Sequence, residues 1–344
     1  MKRILLVKLT SLGDLIHALP ALTDAKAVYP GLKIDWVIDE NFREVASWHS
    51  AVGRVFTTNH RHWRKGFWSA LAPIGKLIRE IRKTKYDLVI DGQGNFKTAL
   101  LGLFVRGPTA GFDRKSVREP VASFAYQKKY AASKKAHAID RLRQLFAQCL
   151  NYPVPTSSPD FGIDTSQFGP SVDAAQPYFF FVHNASWKTK QWPEEHGKKL
   201  IQLLVSEGYR VLLPWGSEEE RARAERMAAG CDEAMVLPKL TLSQIGRLIL
   251  DAKGCVCMDT GLSHLAAALH VPSVTLYGST DSGLIGACGQ NQSHLSSTLA
   301  CSPCHKKVCQ FGKTPLCLAQ ITPEAVFQRV LSICNKLYVH CTEK

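Results

Sequence analysis

Apolar residues in this chain fall into short unbroken runs, each followed by a stretch in which they recur every three or four positions. "RILLVK", "KIDWVI", "RVFTTN" and "YDLVIDGQG" are runs of the first kind. The stretch from Ser69 to Lys83 is of the second, with Leu71, Ile74, Ile78 and Ile81 on one helical face. Continuous apolar strands alternating with helices predict a parallel sheet covered on both sides. Pro73 sets the start of the regular part of its helix, and Pro20 kinks or restarts the first helix. The stretch "YPVPTSSPDFGIDTSQFGPSVDAAQP" then breaks the pattern; rich in Pro, Ser and Asp and without helical period, it reads as a linker.

The alternation resumes with "YFFFVHNAS", "YRVLLPWG", "KGCVCMD" and "SVTLYG" as strands. Between and after them "PEEHGKKLIQLLVSEG", "SEEERARAERMAAG", "LTLSQIGRLILDA", "TGLSHLAAALH" and "TPEAVFQRVLSICNKL" read as helices. The expected fold class is α/β, with two Rossmann-like doubly wound domains at residues 1–160 and 178–344, a linker at 161–177 and a central cleft. The last helix is free to pack back on the first domain. Ligands in such sheets bind beyond the carboxyl ends of the strands.

A length of 344 residues suffices for two domains with separate cores. The N-terminus reads directly as a strand rather than a cleavable signal, and no run reaches the ~18 apolar residues of a membrane helix. A cytoplasmic protein is expected. The net charge of +14 becomes informative once divided: residues 1–150 hold 26 Lys and Arg against 12 Asp and Glu, and residues 151–344 hold 17 against 17. A field of one sign on one half points to a polyanionic partner, whether nucleic acid, phosphorylated lipid or acidic sugar. The eleven cysteines all lie at or beyond Cys149, and an odd number in a cytosolic chain argues against a disulfide framework.

Candidate chemistry collects at strand ends. In "CMDTGLSHLAAAL", Asp259, Thr260 and Gly261 form a turn into an Ala-rich helix whose backbone N–H groups favour an anion, with His264 one turn in. "HNASWKTKQWPEEH" carries Ser186, Lys188 and Lys190, and lysines there neutralise a diphosphate as point charges. "PWGSEEERA" brings Glu218, Glu219 and Glu220 to a helix start, where a carboxylate either accepts from ribose hydroxyls or complements the helix dipole. Gly13 and Asp14 stand where the first strand gives way to the first helix, as a helix cap or as part of an active site. "HRHWRKGFW" interleaves Arg61, Arg64 and Lys65 with aromatic residues, while "DRKSVREP" and "KKAHAIDRLR" add Arg118, Arg141 and Arg143. Cys301, Cys304, Cys309 and Cys317 are spaced for a structural zinc in only one half of the set, so a metal is kept out of the mechanism. There is no G-x-G-x-x-G after the first strand, no P-loop and no Asp-x-Asp clamp.

Taken together, "VKLTSLGDLIHALPAL", "VIDGQGNFKTALL", the W-P-E-E-H helix start and "MDTGLSHL…YGSTD" resemble the ADP-heptose:lipopolysaccharide heptosyltransferases of glycosyltransferase family nine. The likeness spreads over nearly the whole chain. "IDWVIDENF", "RHWRKGFW" and "VREP" look most like the branch that adds the first heptose to Kdo on lipid A. The resemblance implies an inverting, metal-independent enzyme of the GT-B fold, with the acceptor on the first domain, ADP-heptose on the second and no cofactor. It makes Asp14 the general base and Lys190 the lysine on the leaving diphosphate. Ser186, Asp259, Thr260, Gly261 and His264 line the donor, and Glu220, with Glu218 as the alternative, meets the adenosine. Thr10, Ser11 and Gly13 lie on the acceptor side, where Arg61, Arg64, Lys65, Arg118 and Arg143 supply positive charge.

One departure stands out: Ala185, Ser186 and Trp187 occupy the nucleotide loop where relatives carry paired threonines, so this loop has one hydroxyl fewer. The implied partner is an acidic glycolipid, Kdo2-lipid A, met by a monomer at the cytoplasmic face of the inner membrane. Addition of a later heptose is the nearest alternative. Nucleic-acid binding, resting on the net charge and the Arg/Trp stretch, is a remote alternative, and a zinc-dependent structural or redox module at Cys301 to Cys317 is a third reading.

Overall fold

The computed structural model describes residues 3–59, 67–171, 176–312 and 314–342. It divides into two compact units, Met1–Asp164 and Thr165–Lys344. The boundary falls inside the stretch expected to be a linker, yet that stretch is docked along much of its length. Phe161 is buried and the Asp164 N–H donates to the Trp48 carbonyl at 2.7 Å in the first unit. In the second unit the Phe168 ring lies so close over Gly246 that a Cβ there would meet it at 2.9 Å.

The first unit holds six strands, β1 (Arg3–Val7), β2 (Lys33–Asp39), β3 (Val52–Thr58), β4 (Leu88–Asp91), β5 (Thr109–Phe112) and β6 (Lys128–Tyr130). They pair in the order β3-β2-β1-β4-β5-β6, all parallel. The second holds β7 (Tyr178–Val182), β8 (Arg210–Leu213), β9 (Ala234–Val236), β10 (Gly254–Met258), β11 (Ser273–Tyr277) and β12 (Gln292–Ser296). Their order, β12-β11-β10-β7-β8-β9, is the same topology counted from its own first strand, again all parallel. The central strands are buried on both faces: Ile4, Leu5, Leu6 and Val7 in β1 and Phe179 and Phe180 in β7 have no exposed surface. Each such side chain contributes about 1.5–3 kcal/mol by leaving water, which is why the unbroken runs find the sheet centre.

Short strands escaped the sequence pattern. "TAGF", "KKY", "AMV" and "QSHLS" form β5, β6, β9 and β12, at or next to sheet edges where strands are short and not strongly apolar. One expectation about helices needs correction. The helix expected to be regular from Pro73 starts at Phe67 and runs to Ile81 with the proline inside it. Pro73 is exposed and forfeits a single backbone bond, and the apolar stripe ending at the fully buried Ile81 carries the helix through. The last helix, Pro323–Thr342, puts Val326, Phe327, Val330 and Cys334 into the core of the second unit. Pro20 does restart its helix, separating Leu12–Ile16 from Leu19–Val28.

Where the chain leaves the first unit, His49 locks two segments together. Its Nδ1 accepts the Ala51 N–H at 3.1 Å, so the proton sits on Nε2 and donates to Thr23 Oγ1 at 2.9 Å. Gly162, at φ +56°, rests against this pair where a Cβ would approach both partners to 2.7 Å. Burial depresses the imidazole from 6.5 to about 4, against the opposing pull of Asp160. The unfolded chain therefore takes up a proton that the folded one refuses, and stability is complete above about 6.5 and falls as pH is lowered toward about 4. Chemical denaturation across that interval should show a slope that His49→Gln makes shallower by up to about 1.4 kcal/mol per pH unit. An unchanged slope would contradict the assignment.

Candidate functional site

In the first unit the chemistry gathers where β1 and β4 end side by side. The loop after β1 leads into the helix Leu12–Ile16, and Asp14 in its first turn accepts from the Ser11 N–H at 2.9 Å and the Ser11 hydroxyl at 3.1 Å. Both bonds fall on Oδ2, which leaves Oδ1 to accept from a bound molecule. Asp14 is thus a helix-capping residue and a half-buried carboxylate on a cavity of about 340 Å³. The loop is held from below by Gln93, whose Oε1 accepts the N–H groups of Leu9 and Thr10 at 3.0 and 3.2 Å. Gln93 is itself fixed by Asp91, the buried last residue of β4, which accepts from the N–H groups of Gln93 and Gly94 and from the Thr98 and Tyr126 hydroxyls. Burial raises the Asp91 carboxyl while these four donors act to lower it.

The cavity is rich in positive charge: Lys8, Arg118, Lys134 and Arg141 line it with Asp14, His17, Gln93 and Ser116. Lys8 is buried and donates to the Gly92 carbonyl at 2.9 Å; burial pushes its ammonium down, while the Asp14 and Asp91 charges pull it back up. Arg141 lies over the Phe112 ring and donates to the Ser116 carbonyl at 2.5 Å. Four cations around one carboxylate suit an anionic ligand that presents a hydroxyl.

In the second unit the corresponding strand ends, those of β7 and β10, carry the other set. After β7 comes the turn Lys188–Lys190, and after β10 the helix Gly261–Ala268, whose N-cap Thr260 makes no side-chain cap bond; the Ser263 N–H turns back to the Thr260 carbonyl, and the N–H groups ahead of it suit an anion. Lys190 Nζ stands 2.6 Å from Asp259 Oδ2, which also accepts from the Thr280 hydroxyl at 2.5 Å. The Lys190 ammonium lies 4.7 Å from the centre of the Trp187 ring. Both members of the ion pair are largely buried, Lys190 at 13% and Asp259 at 3% side-chain exposure, so the attraction is weakly screened and the ammonium is held in place. His264 is buried in the first turn of the helix, and Ser186 is exposed on the loop after β7.

A profile for glycosyltransferase family 9 (heptosyltransferase) matches residues 74–314. Lipopolysaccharide heptosyltransferase 1 of Pseudomonas aeruginosa is 45% identical over 340 residues, covering 94% of this chain and 96% of that one. The solved structure of E. coli heptosyltransferase WaaC with ADP superposes with a TM-score of 0.87 at 39% identity, over 96% of this chain and 99% of the other. The same enzyme with ADP-2-deoxy-2-fluoro heptose gives 0.84 at 38%, over the same shares. The chain belongs to glycosyltransferase family 9. It is a glycosyltransferase of the GT-B fold class, the class its sequence resemblance implied.

Within this family 9 enzyme the site residues named from sequence meet different fates. Asp14 and Arg118 line the first-unit cavity. Thr10, Ser11 and Gly13 contribute through the loop's hydrogen bonds rather than through the cavity wall. Arg61, Arg64 and Lys65 lie outside the described residues. Lys190, Asp259, Thr260 and Gly261 come together at the β7 and β10 ends, where Asp259 engages Lys190 and Thr280. Glu220 is half-buried and closes its own turn by accepting the Gly216 N–H at 2.7 Å, while Glu218 is paired with Arg221 on the surface. Cys301, Cys304, Cys309 and Cys317 line a separate, largely apolar cavity of about 610 Å³. Among the described residues no group of three or more His, Cys, Asp or Glu side chains is placed to hold a metal ion.

Arg143 is the correction. Its guanidinium is buried and forks onto both oxygens of Asp24, at 2.7 and 3.1 Å, with a further bond to the Ser157 carbonyl. The neighbour that lines the cavity is Arg141. Two residues apart on a helix means nearly opposite faces, so the apolar stripe of Ile139, Leu142, Leu145 and Phe146 held the information needed to choose between them. Lys8 and Gln93 were missed because one sits in a buried apolar run and the other in a Gly-containing turn, where neither stands out. Arg143→Ala strands a buried Asp24 carboxylate and should cost about 3–5 kcal/mol of stability. Denaturation midpoints will read this loss, with the acceptor KM of the folded fraction unchanged; a raised KM at full stability would contradict the structural role.

Proposed function

We propose that this enzyme moves heptose from ADP-heptose to Kdo of the lipopolysaccharide inner core, as lipopolysaccharide heptosyltransferase 1. The observation that carries the reading is Asp14, a carboxylate capped through one oxygen and set among four cations, on a chain 45% identical to an enzyme of that name over nearly its full length. In this reading the cavity takes Kdo2-lipid A, whose carboxylates and phosphates match Lys8, Arg118, Lys134 and Arg141. Asp14 Oδ1 accepts the proton of a Kdo hydroxyl as that oxygen attacks the anomeric carbon of the heptose, an approach requiring about 3 Å between carboxylate and hydroxyl. The bond from the anomeric carbon to the diphosphate oxygen breaks on the opposite face, inverting the centre, and its electron pair leaves with ADP.

The charge that develops on ADP is met by Lys190 and by the N–H groups of Thr260 and Gly261, with His264 as a further donor and Ser186 on the nucleotide. Asp259 serves by holding Lys190 in place, and Glu220 remains the carboxylate nearest the adenosine in this scheme. No step calls on a metal ion. Among the described residues no helix is long and apolar enough to cross a membrane. The basic first half supports a peripheral position on the anionic cytoplasmic face of the inner membrane, where the acceptor resides. The monomer is the working unit of the scheme, since each chain carries both sets of groups.

Asp14→Asn tests the base directly, because an asparagine oxygen still accepts from Ser11 and keeps the helix start intact. Turnover with ADP-heptose and a Kdo acceptor should fall by about 10²–10⁴-fold with ADP affinity unchanged. Wild-type turnover in this variant would remove Asp14 from the mechanism.

A further inference from the structure

The segment 299–312, which carries three of the clustered cysteines, is fastened to the same elements that hold the Lys190–Asp259 pair. The Thr189 hydroxyl, next to Lys190, donates to the Lys306 carbonyl at 2.6 Å. The His305 N–H donates to the Ser279 carbonyl at 2.7 Å, one residue before the threonine that bonds Asp259. Ser302 Oγ donates to the Gly278 carbonyl at 2.5 Å. These three bonds deliver Lys307 to the Trp187 ring, 5.8 Å from its centre, so two ammonium groups meet over one indole.

Charge balance gives the second ammonium a purpose. Lys190 is matched by Asp259 at 2.6 Å, so that pair presents no net charge to a ligand. A nucleoside diphosphate brings at least two negative charges, and a helix start offers only about half a positive one. Lys307 is exposed and, among the described residues, no ion pair or hydrogen bond to a carboxylate engages it. Ala185 and Ser186, followed by Trp187, also stand where the family resemblance called for paired threonines, so the loop after β7 offers one hydroxyl fewer to the nucleotide.

We propose that Lys307 is a ligand of the donor diphosphate, carried to the site by the cysteine-bearing segment and seated on Trp187, and that its charge compensates for the hydroxyl Ala185 does not supply. This inference rests on the reading of the β7 and β10 ends as the donor site. Lys307 neutralises the diphosphate as a point charge, both in the bound donor and as ADP departs.

Titration calorimetry on the full-length protein, with ADP and with adenosine as the probes, tests it. Lys307→Ala should weaken ADP binding about tenfold and leave adenosine unchanged, and Lys307→Arg should restore most of the loss. Lys306→Ala, one residue away on the same segment and bonded to Gln310, serves as the control for disturbance of the segment and should bind ADP like the wild type. Equal ADP affinity in Lys307→Ala and wild type would overturn the inference alone. So would an equal loss for ADP and adenosine, or a loss in Lys306→Ala as large as in Lys307→Ala. Absence of ADP binding by the wild-type protein would instead bring down the donor-site reading, and this inference with it.

Discussion

Both units obey one topological constraint: the first strand of each sheet lies at its centre, with the chain winding outward on either side of it. In the order β3-β2-β1-β4-β5-β6 the loops leaving β1 and β4 must run in opposite directions, and the same holds for β7 and β10. Where such loops diverge, a crevice opens at the carboxyl edge that no side chain has to be removed to create. Asp14 and Gln93 occupy one such point, and Lys190 and Asp259 the other. The buried central strands are therefore more than a core. They fix the places from which the functional groups project, and every hydrogen bond around Asp14 or Lys190 refines a position that strand order has already set.

Electrostatics then distinguishes the two points. In the first unit a carboxylate stands among Lys8, Arg118, Lys134 and Arg141, with Lys8 buried so that its field is poorly screened. In the second, a buried lysine and aspartate cancel one another and an uncapped helix start faces outward. One arrangement favours an anion that brings a hydroxyl to be deprotonated; the other favours an anion whose charge grows as it leaves. These are the halves of a group transfer from a nucleotide sugar, and neither requires a metal ion to be understood.

Much of this was legible in the sequence because buried parallel strands are written as unbroken apolar runs. "RILLV" and "YFFFV" mark the sheet centres, and the polar, glycine-containing turns behind them mark the loops that matter. What stayed hidden has physical reasons. The edge strands β6 and β9 are three residues long, too short for any periodicity to register. Arg141 and Arg143 are chemically alike; the helix's apolar stripe tells their faces apart, but the partner that makes Arg143 structural, Asp24, lies more than a hundred positions away in sequence. The partnership of Lys190 with Asp259, and the seating of Lys307 on Trp187, likewise join distant segments that spacing does not relate.

In the proposed reaction Asp14 activates a Kdo hydroxyl toward the heptose of ADP-heptose. Mass spectrometry of the products formed from ADP-heptose tests it most directly, with Kdo2-lipid A and a mono-heptosylated acceptor offered side by side. A single heptose is expected on Kdo2-lipid A and none on the heptosylated acceptor. Heptose appearing on the second acceptor alone, or on neither, would contradict it.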